Sequence, residues 1–183
     1  MKIGIISGNV RDGSNTAQVA EWVYNFAKNR NDEGITYELL DLQSYNLPMH
    51  GTAVNEEQSA SINKWKEDVA SYDGYVIVTP EYNRAIPGFL KNALDYLHPE
   101  VHNKAVGYVS FGGIGGLSAI QNLRIINGEQ ALASVRGIVT FSLNVDFENF
   151  SVFKPKPYHD NDANAMFDQL LSWSKALKTI RQD

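Results

Sequence analysis

Short apolar runs recur along the chain, and each is followed by a stretch with helical spacing. The runs occupy residues 3–6, 35–41, 75–79, 105–110 and 137–141. Because apolar residues stand on consecutive positions instead of alternating ones, we expect strands that are buried on both faces and that form a parallel sheet. The alternation with helices predicts an α/β fold, although periodicity does not give the order of the strands.

Apolar residues at helical spacing predict five helices between and after these runs. The helices begin near residue 16, cover residues 62–69, extend over 87–98, begin near 117 and occupy about 161–181. Two long segments, 43–57 and 143–160, are predicted to be irregular. A loop as long as the second usually binds a ligand or forms an interface. Its three phenylalanines, Phe147, Phe150 and Phe153, fit either a dimer contact or the core.

The composition limits the classes of function. A chain of 183 residues is expected to form one domain, 1–183. Its net charge of −5 argues against nucleic-acid binding. The chain has no cysteine, which excludes disulfides, thiolate catalysis and thiolate zinc sites. No stretch has the length of a signal peptide or a membrane span, so we expect a cytoplasmic protein that does not enter a membrane. The four histidines are scattered, and we expect no metal site.

A polar loop, residues 8–16, joins the first strand to its helix and is the first candidate site. Backbone N–H groups at the amino end of a helix bind anions, and Ser14, Asn15 and Thr16 add short donors there. Arg11 adds a planar cation that can bridge phosphate oxygens. The loop lacks the Gly-Lys-Ser/Thr ending of a P-loop. It also lacks the Gly-x-Gly-x-x-Gly motif that binds dinucleotides. The alternative is a capped helix without a ligand, because serine and threonine are favoured caps.

Two further loops follow the third and fourth predicted strands. The third strand stops at Pro80, and a polar loop leads to Pro87, which suits the first turn of a helix. In open α/β sheets ligands bind at the carboxyl ends of the strands, although an ordinary strand-to-helix connection is the simpler alternative. After the fourth strand, residues 110–116 contain four glycines, which would let a flat ligand approach the backbone closely. A flexible turn is the alternative there.

The stretch around the second loop resembles a known family. Pro80-Glu81-Tyr82-Asn83, Pro87-Gly88 and Leu90-Lys91-Asn92-Ala93-Leu94-Asp95 are similar to the signature of the NADPH-dependent FMN reductases, flavodoxin-like proteins that include quinone, azo-dye and chromate reductases. The first loop resembles the family's Gly-Ser-x-Arg, two residues, then Ser, with Asn9 in place of the usual serine. Arg84 stands where the family residue is often small. The resemblance extends from the first strand to about Phe141.

The resemblance implies a fold, two cofactors and a reaction. The fold is a flavodoxin-like three-layer sandwich, with a five-stranded parallel sheet in the order 2-1-3-4-5 and helices on both faces. The cofactors are FMN and NADPH. Hydride would pass from NAD(P)H through FMN to a quinone, azo dye, metal ion or free flavin, in a homodimer or homotetramer. Because the flavin carries this chemistry, we expect no catalytic side chain. A flavodoxin-type electron carrier and a non-catalytic flavin- or phosphate-binding module are the alternatives.

The resemblance also assigns cofactor-binding residues on all three loops. The phosphate of FMN would be held by the first loop, at Asn9, Arg11, Ser14, Asn15 and Thr16. The isoalloxazine would lie along Pro80, Glu81, Tyr82 and Asn83, and against Ser110, Gly112, Gly113 and Gly115.

Overall fold

A computed structural model describes residues 1–181, whose centre is a five-stranded parallel sheet. The strands are β1 (Lys2–Ser7), β2 (Thr36–Asp41), β3 (Gly74–Pro80), β4 (Ala105–Gly112) and β5 (Ala133–Ser142). Their order is β2-β1-β3-β4-β5, and every neighbouring pair is parallel. The predicted sheet and its flavodoxin-like order are confirmed.

Within residues 1–181, five α-helices connect the strands or follow them. They are α1 (Thr16–Asn29), α2 (Glu56–Ala70), α3 (Gly88–Asp95), α4 (Leu117–Glu129) and α5 (His159–Lys178). Single 3-10 turns cover Leu42–Tyr45, Pro99–Val101 and Thr179–Arg181. None of the helices among residues 1–181 combines the length and the apolar character that crossing a membrane requires.

The two faces of the sheet bury two separate hydrophobic cores. Successive residues of a strand point to opposite faces, so Ile5 packs against α1 and α5 whereas Ile6 faces the other layer. The first core contains Val19, Val23, Met166 and Leu170. The second contains Trp65 from α2, Leu90 from α3 and Ile120 from α4. Helices therefore cover both faces, as the resemblance implies.

The helix after β3 and the fifth strand differ in length from their predictions. Helix α3 ends at Asp95 and not at 98, because residue 98 precedes Pro99 and a residue before proline avoids helical angles. His98 has φ −140° and ψ −81°. Strand β5 begins at Ala133 and not at 137, since Ala133 and Ser134 pair with the start of β4. This edge strand has few apolar residues at its beginning, so its pattern gave no signal there.

The segment predicted to be irregular over 143–160 contains a small hairpin, residues 147–153. Its strands are β6 (Phe147–Glu148) and β7 (Val152–Phe153). Two residues are too few for periodicity to reveal a strand. A buried Asp146 stands at the base of the hairpin, where its carboxylate accepts from the Ser142 N–H at 2.9 Å and lies 2.9 Å from His159 Nε2. These contacts tie the hairpin to the start of α5.

Candidate active site

The three candidate loops meet at the carboxyl edge of the sheet. They follow β1, β3 and β4, which are neighbours, so the sheet order alone brings them together. A cavity of about 290 Å3 lies at this edge. Its walls include Arg11, Ser14 and Asn15 from the first loop, Pro80 and Tyr82 from the second, and Phe111 from the end of β4.

The buried side chain of Asn9 joins the first loop to the second. Its Nδ2 donates to Ser14 Oγ, to Thr16 Oγ1 at 3.2 Å and to the Tyr82 hydroxyl at 3.2 Å. Its Oδ1 accepts from the Arg11 N–H at 3.1 Å. Asn9 and Thr16 are only 4% and 1% exposed. They therefore support the loop from the inside, and the groups exposed to the cavity lie on its outer face.

The outer face of the first loop offers groups that suit an anion. The Arg11 side chain is exposed and makes no ion pair or hydrogen bond within residues 1–181. Over the same residues, the backbone N–H groups of Gly13 and Asn15 donate to no protein atom. Gly13 has φ +66°, a conformation that disfavours a side chain. A cation, free N–H groups and the positive end of α1 thus face the same space.

Helix capping does not account for this loop. Asn15 is the N-cap of α1, yet its side chain makes no capping hydrogen bond. Asn15 Nδ2 donates instead to the Phe150 carbonyl at 2.7 Å. Ser14 Oγ accepts from the Thr16 N–H at 3.2 Å, which satisfies one orphan donor of the helix. The capped-helix alternative therefore explains only Ser14.

The second loop contains a two-residue turn at Asn83 and Arg84. Both residues are left-handed, with φ +49° and +67°. Tyr82 and Ala85 exchange backbone hydrogen bonds of 2.9 and 3.0 Å across the turn. Turns of this type favour asparagine followed by glycine, which gives a physical reason for a small residue at position 84. The Arg84 guanidinium is largely exposed and lies 3.7 Å from the Glu81 carboxylate.

Glu81 has a role in the fold that the sequence did not reveal. Its side chain is only 8% exposed, so it is not a solvated loop carboxylate. Oε2 accepts from the N–H groups of Ser118 at 2.9 Å and Ala119 at 3.3 Å, in the first turn of α4. The Glu81 carboxylate thus holds the amino end of α4, while its backbone N–H donates to the Phe111 carbonyl at 2.9 Å. Because the carboxylate is engaged by α4, Glu81 would contact a flavin through its backbone.

In the third loop most of the predicted residues are buried and one is open. Ser110 is fully buried, and its hydroxyl donates to the Gly115 carbonyl at 2.8 Å, so it supports the loop. Gly112 and Gly115 are buried as well. Gly113 is exposed, and a Cβ built on it would meet no atom within 4 Å. This is the glycine where a flat ligand has room.

Gln18 borders the site without having been predicted, together with the hairpin, whose segment was expected to bind a ligand or form an interface. Gln18 Nε2 donates to the Ser151 carbonyl at 2.7 Å, and Oε1 accepts from the Phe153 N–H at 3.0 Å. Phe150 lines the cavity beside the first loop. Contacts between residues more than 130 positions apart leave no local pattern, so sequence reasoning had no signal for them.

The scattered histidines form no metal cluster in the described part of the chain. The rings of His98 and His102 lie 4.6 Å apart. No group of three or more histidine, aspartate or glutamate side chains within residues 1–181 is arranged to hold a metal ion.

The model of the NADPH-dependent FMN reductase family matches residues 1–146, a range that contains all three loops. The chain belongs to this family. The match covers 146 of the 183 residues, so the resemblance read from the second loop is confirmed.

Relatives of this FMN reductase family member carry related names. The NAD(P)H-dependent FMN reductase ntnL of Nectria is 35% identical over 123 residues, covering 63% of this chain and 61% of that protein. A Schizosaccharomyces pombe NAD(P)H-dependent FMN reductase is 34% identical over 135 residues, covering 69% and 66%. The NADPH azoreductase of Bacillus sp. OY1-2 is 34% identical over 149 residues, covering 79% of each chain. The match thus spans slightly under two thirds of the first two relatives.

Solved structures agree with the fold. The FerB flavoenzyme NAD(P)H:(acceptor) oxidoreductase of Paracoccus denitrificans superposes with a TM-score of 0.71, covering 93% of this chain and 97% of that one at 19% identity. The apo form of the NADH:FMN oxidoreductase EMOB superposes with a TM-score of 0.70, covering 93% of this chain and 89% of that one at 21% identity. At these identities the likeness establishes the three-layer fold alone.

The residues present fit the cofactor that the family name implies. A phosphate dianion matches the exposed Arg11 and the unpaired N–H groups of the first loop. A flat ring matches the open space at Gly113 and the apolar wall at Pro80 and Phe111. None of the residues within 1–181 that line the cavity is acidic, and the Glu81 carboxylate is turned toward α4, so no carboxylate of the lining would repel a phosphate.

Proposed function

We propose that this protein is an FMN-dependent NAD(P)H oxidoreductase that reduces a small-molecule acceptor. The observation that carries the proposal is that the first loop, whose exposed groups suit an anion, and the second loop line the same cavity. Family membership supports the choice of FMN and a nicotinamide nucleotide as the ligands.

In the proposed complex, Arg11, Ser14 and the N–H groups of the first loop hold the phosphate. Asn9 and Thr16 keep that loop in shape through their buried hydrogen bonds. The backbone of Pro80 to Asn83 and the open glycine Gly113 border the ring. Bound FMN supplies hydride transfer from the nicotinamide to the acceptor. The chain would orient the ring, and no acid or base side chain would be needed.

The acceptor is proposed to be a small redox molecule such as a quinone or an azo dye. Relatives named NADPH azoreductase and quinone reductase support this class. NADPH is proposed ahead of NADH, with the exposed cations Arg11 and Arg84 as partners for its additional phosphate. Metal ions and free flavin stay in the same proposal as further acceptors.

The decisive experiment is anaerobic reduction of the FMN-loaded protein. Addition of NADPH should remove the yellow absorbance of the bound flavin, and a quinone added afterwards should restore it. Steady-state plots at several quinone concentrations should give parallel lines, because one pocket serves both substrates in turn. Protein that stays yellow under excess NADPH and NADH, yet is reduced by dithionite, would be a flavodoxin-type electron carrier. Protein that takes up no FMN would be a non-catalytic module.

We further propose a homodimer or homotetramer in the cytoplasm. The oligomer rests on the family resemblance and on the exposed apolar residues Ile114, Leu117 and Val145, which follow the carboxyl ends of β4 and β5. Light scattering on FMN-loaded protein at micromolar concentration should give a multiple of 20.4 kDa, and a monomer mass would contradict the proposal. The cytoplasmic location rests on the cysteine-free composition.

A further inference from the structure

The tip of the hairpin, residues 147–153, is held against the first loop. Asn15 Nδ2 donates to the Phe150 carbonyl at 2.7 Å. Gln18, in the first turn of α1, donates to the Ser151 carbonyl at 2.7 Å and accepts from the Phe153 N–H at 3.0 Å. Three hydrogen bonds therefore fix the tip beside the proposed phosphate site.

The base of the hairpin is fixed as firmly as its tip. The Phe147 ring is buried and lies 5.6 Å from Phe111, which lines the cavity. The Phe153 ring lies 5.0 Å from Phe147 and 4.8 Å from the buried Phe141. Because both ends are anchored, the hairpin forms a wall of the site and is not a free loop.

Phe150 is the unusual residue of this wall. It is 62% exposed, although it lines the cavity together with Arg11, Ser14 and Asn15. Its φ is +58°, next to Asn149 at +51°. A left-handed conformation is disfavoured for bulky residues, while glycine and asparagine adopt it readily. Neither the core nor the turn requires an aromatic ring here, and strained residues of this kind concentrate at ligand sites.

We propose that Phe150 is a cofactor-binding residue that closes the phosphate end of the site and selects FMN over FAD. This inference rests on the proposed function, because it requires a flavin phosphate at the first loop. FMN ends at that phosphate. FAD continues from the same phosphate into a second phosphate and an adenosine, which would have to pass the hairpin tip. The Phe150 ring also limits the access of water to the Arg11–phosphate contact.

The test compares dissociation constants for FMN, FAD and riboflavin, measured by flavin fluorescence on the full chain. Phe150→Gly should weaken FMN about tenfold, as expected for the loss of an apolar side-chain contact. FAD should bind no more weakly than before, because the obstacle is removed together with the contact. The FMN-over-FAD preference should therefore fall by about tenfold or more.

Asn149→Gly is the matched control. It places glycine at the neighbouring left-handed position of the same turn, but Asn149 is not among the residues that line the cavity. Its FMN-over-FAD preference should equal that of the unsubstituted protein. Without flavin, Phe150→Gly should melt at or above the temperature of the unsubstituted protein, because it relieves an unfavourable φ. Asn149→Gly should melt close to the unsubstituted protein, because asparagine already adopts a left-handed φ readily. Unfolding would then not explain the weaker FMN binding.

Three results would overturn this inference alone. An unchanged FMN-over-FAD preference in Phe150→Gly is one, and an equal fall in Asn149→Gly is another. A lower particle mass by light scattering with unchanged flavin affinities would assign the Phe150 ring to a contact between copies. Failure of the unsubstituted protein to bind any flavin overturns the proposed function along with this inference, whereas the other results leave the proposed function standing.

Discussion

Single side chains divide the first loop into an inner and an outer layer. The inner layer, Asn9 and Thr16, is buried, and its polar groups form hydrogen bonds with other residues of the site. The outer layer, with Arg11 exposed and unpaired within residues 1–181, is free to meet a ligand. Asn9 reaches Tyr82 across 73 positions of sequence, so the residue in place of the family's usual serine ties two loops together.

Arg11→Ala should distinguish the contribution of the phosphate to binding affinity from that of the rest of the cofactor. Loss of a charge-assisted hydrogen bond costs about 1.5–3 kcal/mol, so FMN should bind roughly ten- to a hundredfold more weakly while riboflavin is unaffected. The control is Arg136→Ala, which removes the same charge from an exposed position near the start of β5. Fluorescence titration with both flavins measures the difference. Equal losses for FMN and riboflavin would show that Arg11 does not contact the phosphate.

The sequence predicts the elements better than it predicts the contacts between them. The apolar runs of β1, β3 and β4 and the loops after them were recognisable because burial on both faces leaves a local signal. The order of the strands came from the resemblance and not from the pattern. The role of Glu81 at α4 and the Gln18 contacts with the hairpin depend on residues distant in sequence, which no local pattern encodes.

At the scale of elements, α4 begins without a cap of its own. Its N-cap is Gly116, which has no side chain, and no acidic residue stands in its first turn. Glu81 from the loop after β3 supplies the missing carboxylate. This contact fixes the second loop relative to the third, so the stability of a helix and the shape of the site depend on the same side chain.

Glu81→Ala should destabilise the fold by about 2–3 kcal/mol, because it leaves two partly buried N–H groups unpaired and removes a negative charge from a helix amino end. Glu81→Gln keeps an acceptor and should cost only about 1 kcal/mol. Urea unfolding without flavin measures both values. The control is Glu129→Ala, which removes an exposed carboxylate at the other end of the same helix and should cost nothing. Similar losses in Glu81→Ala and Glu129→Ala would rule out the capping role.

Across the whole molecule, the carboxyl ends and the amino ends of the strands carry different features. The carboxyl edge carries the three loops and the hairpin. The amino edge buries Lys104, which is 5% exposed just before β4 and donates to the Ala70 carbonyl at 2.8 Å and the Tyr75 hydroxyl at 2.9 Å. Burial, assisted by the charge of Arg181, lowers the pKa of Lys104 to about 8. A titration at this edge is therefore distant from the proposed cofactor.

The free energy of unfolding should rise with pH in the window set by Lys104. Lysine in an unfolded chain has a pKa of about 10.4, so between about pH 8 and 10.4 the unfolded state binds more protons than the folded one. The gain reaches at most about 3 kcal/mol and is absent below pH 8, where both states are protonated. Urea unfolding of flavin-free protein should show this rise relative to Lys104→Met. Identical pH profiles for the two proteins would contradict the lowered pKa.

The left-handed conformation of Phe150 predicts how this position of the hairpin should change during evolution. Under neutral drift, substitutions to glycine or asparagine would be retained at this position, since either relaxes the turn. We expect an aromatic residue to persist there only where selection acts on what the ring does. Descendants that have lost flavin binding should therefore lose this ring early, while Asn9 and Glu81, which also serve the fold, should outlast it.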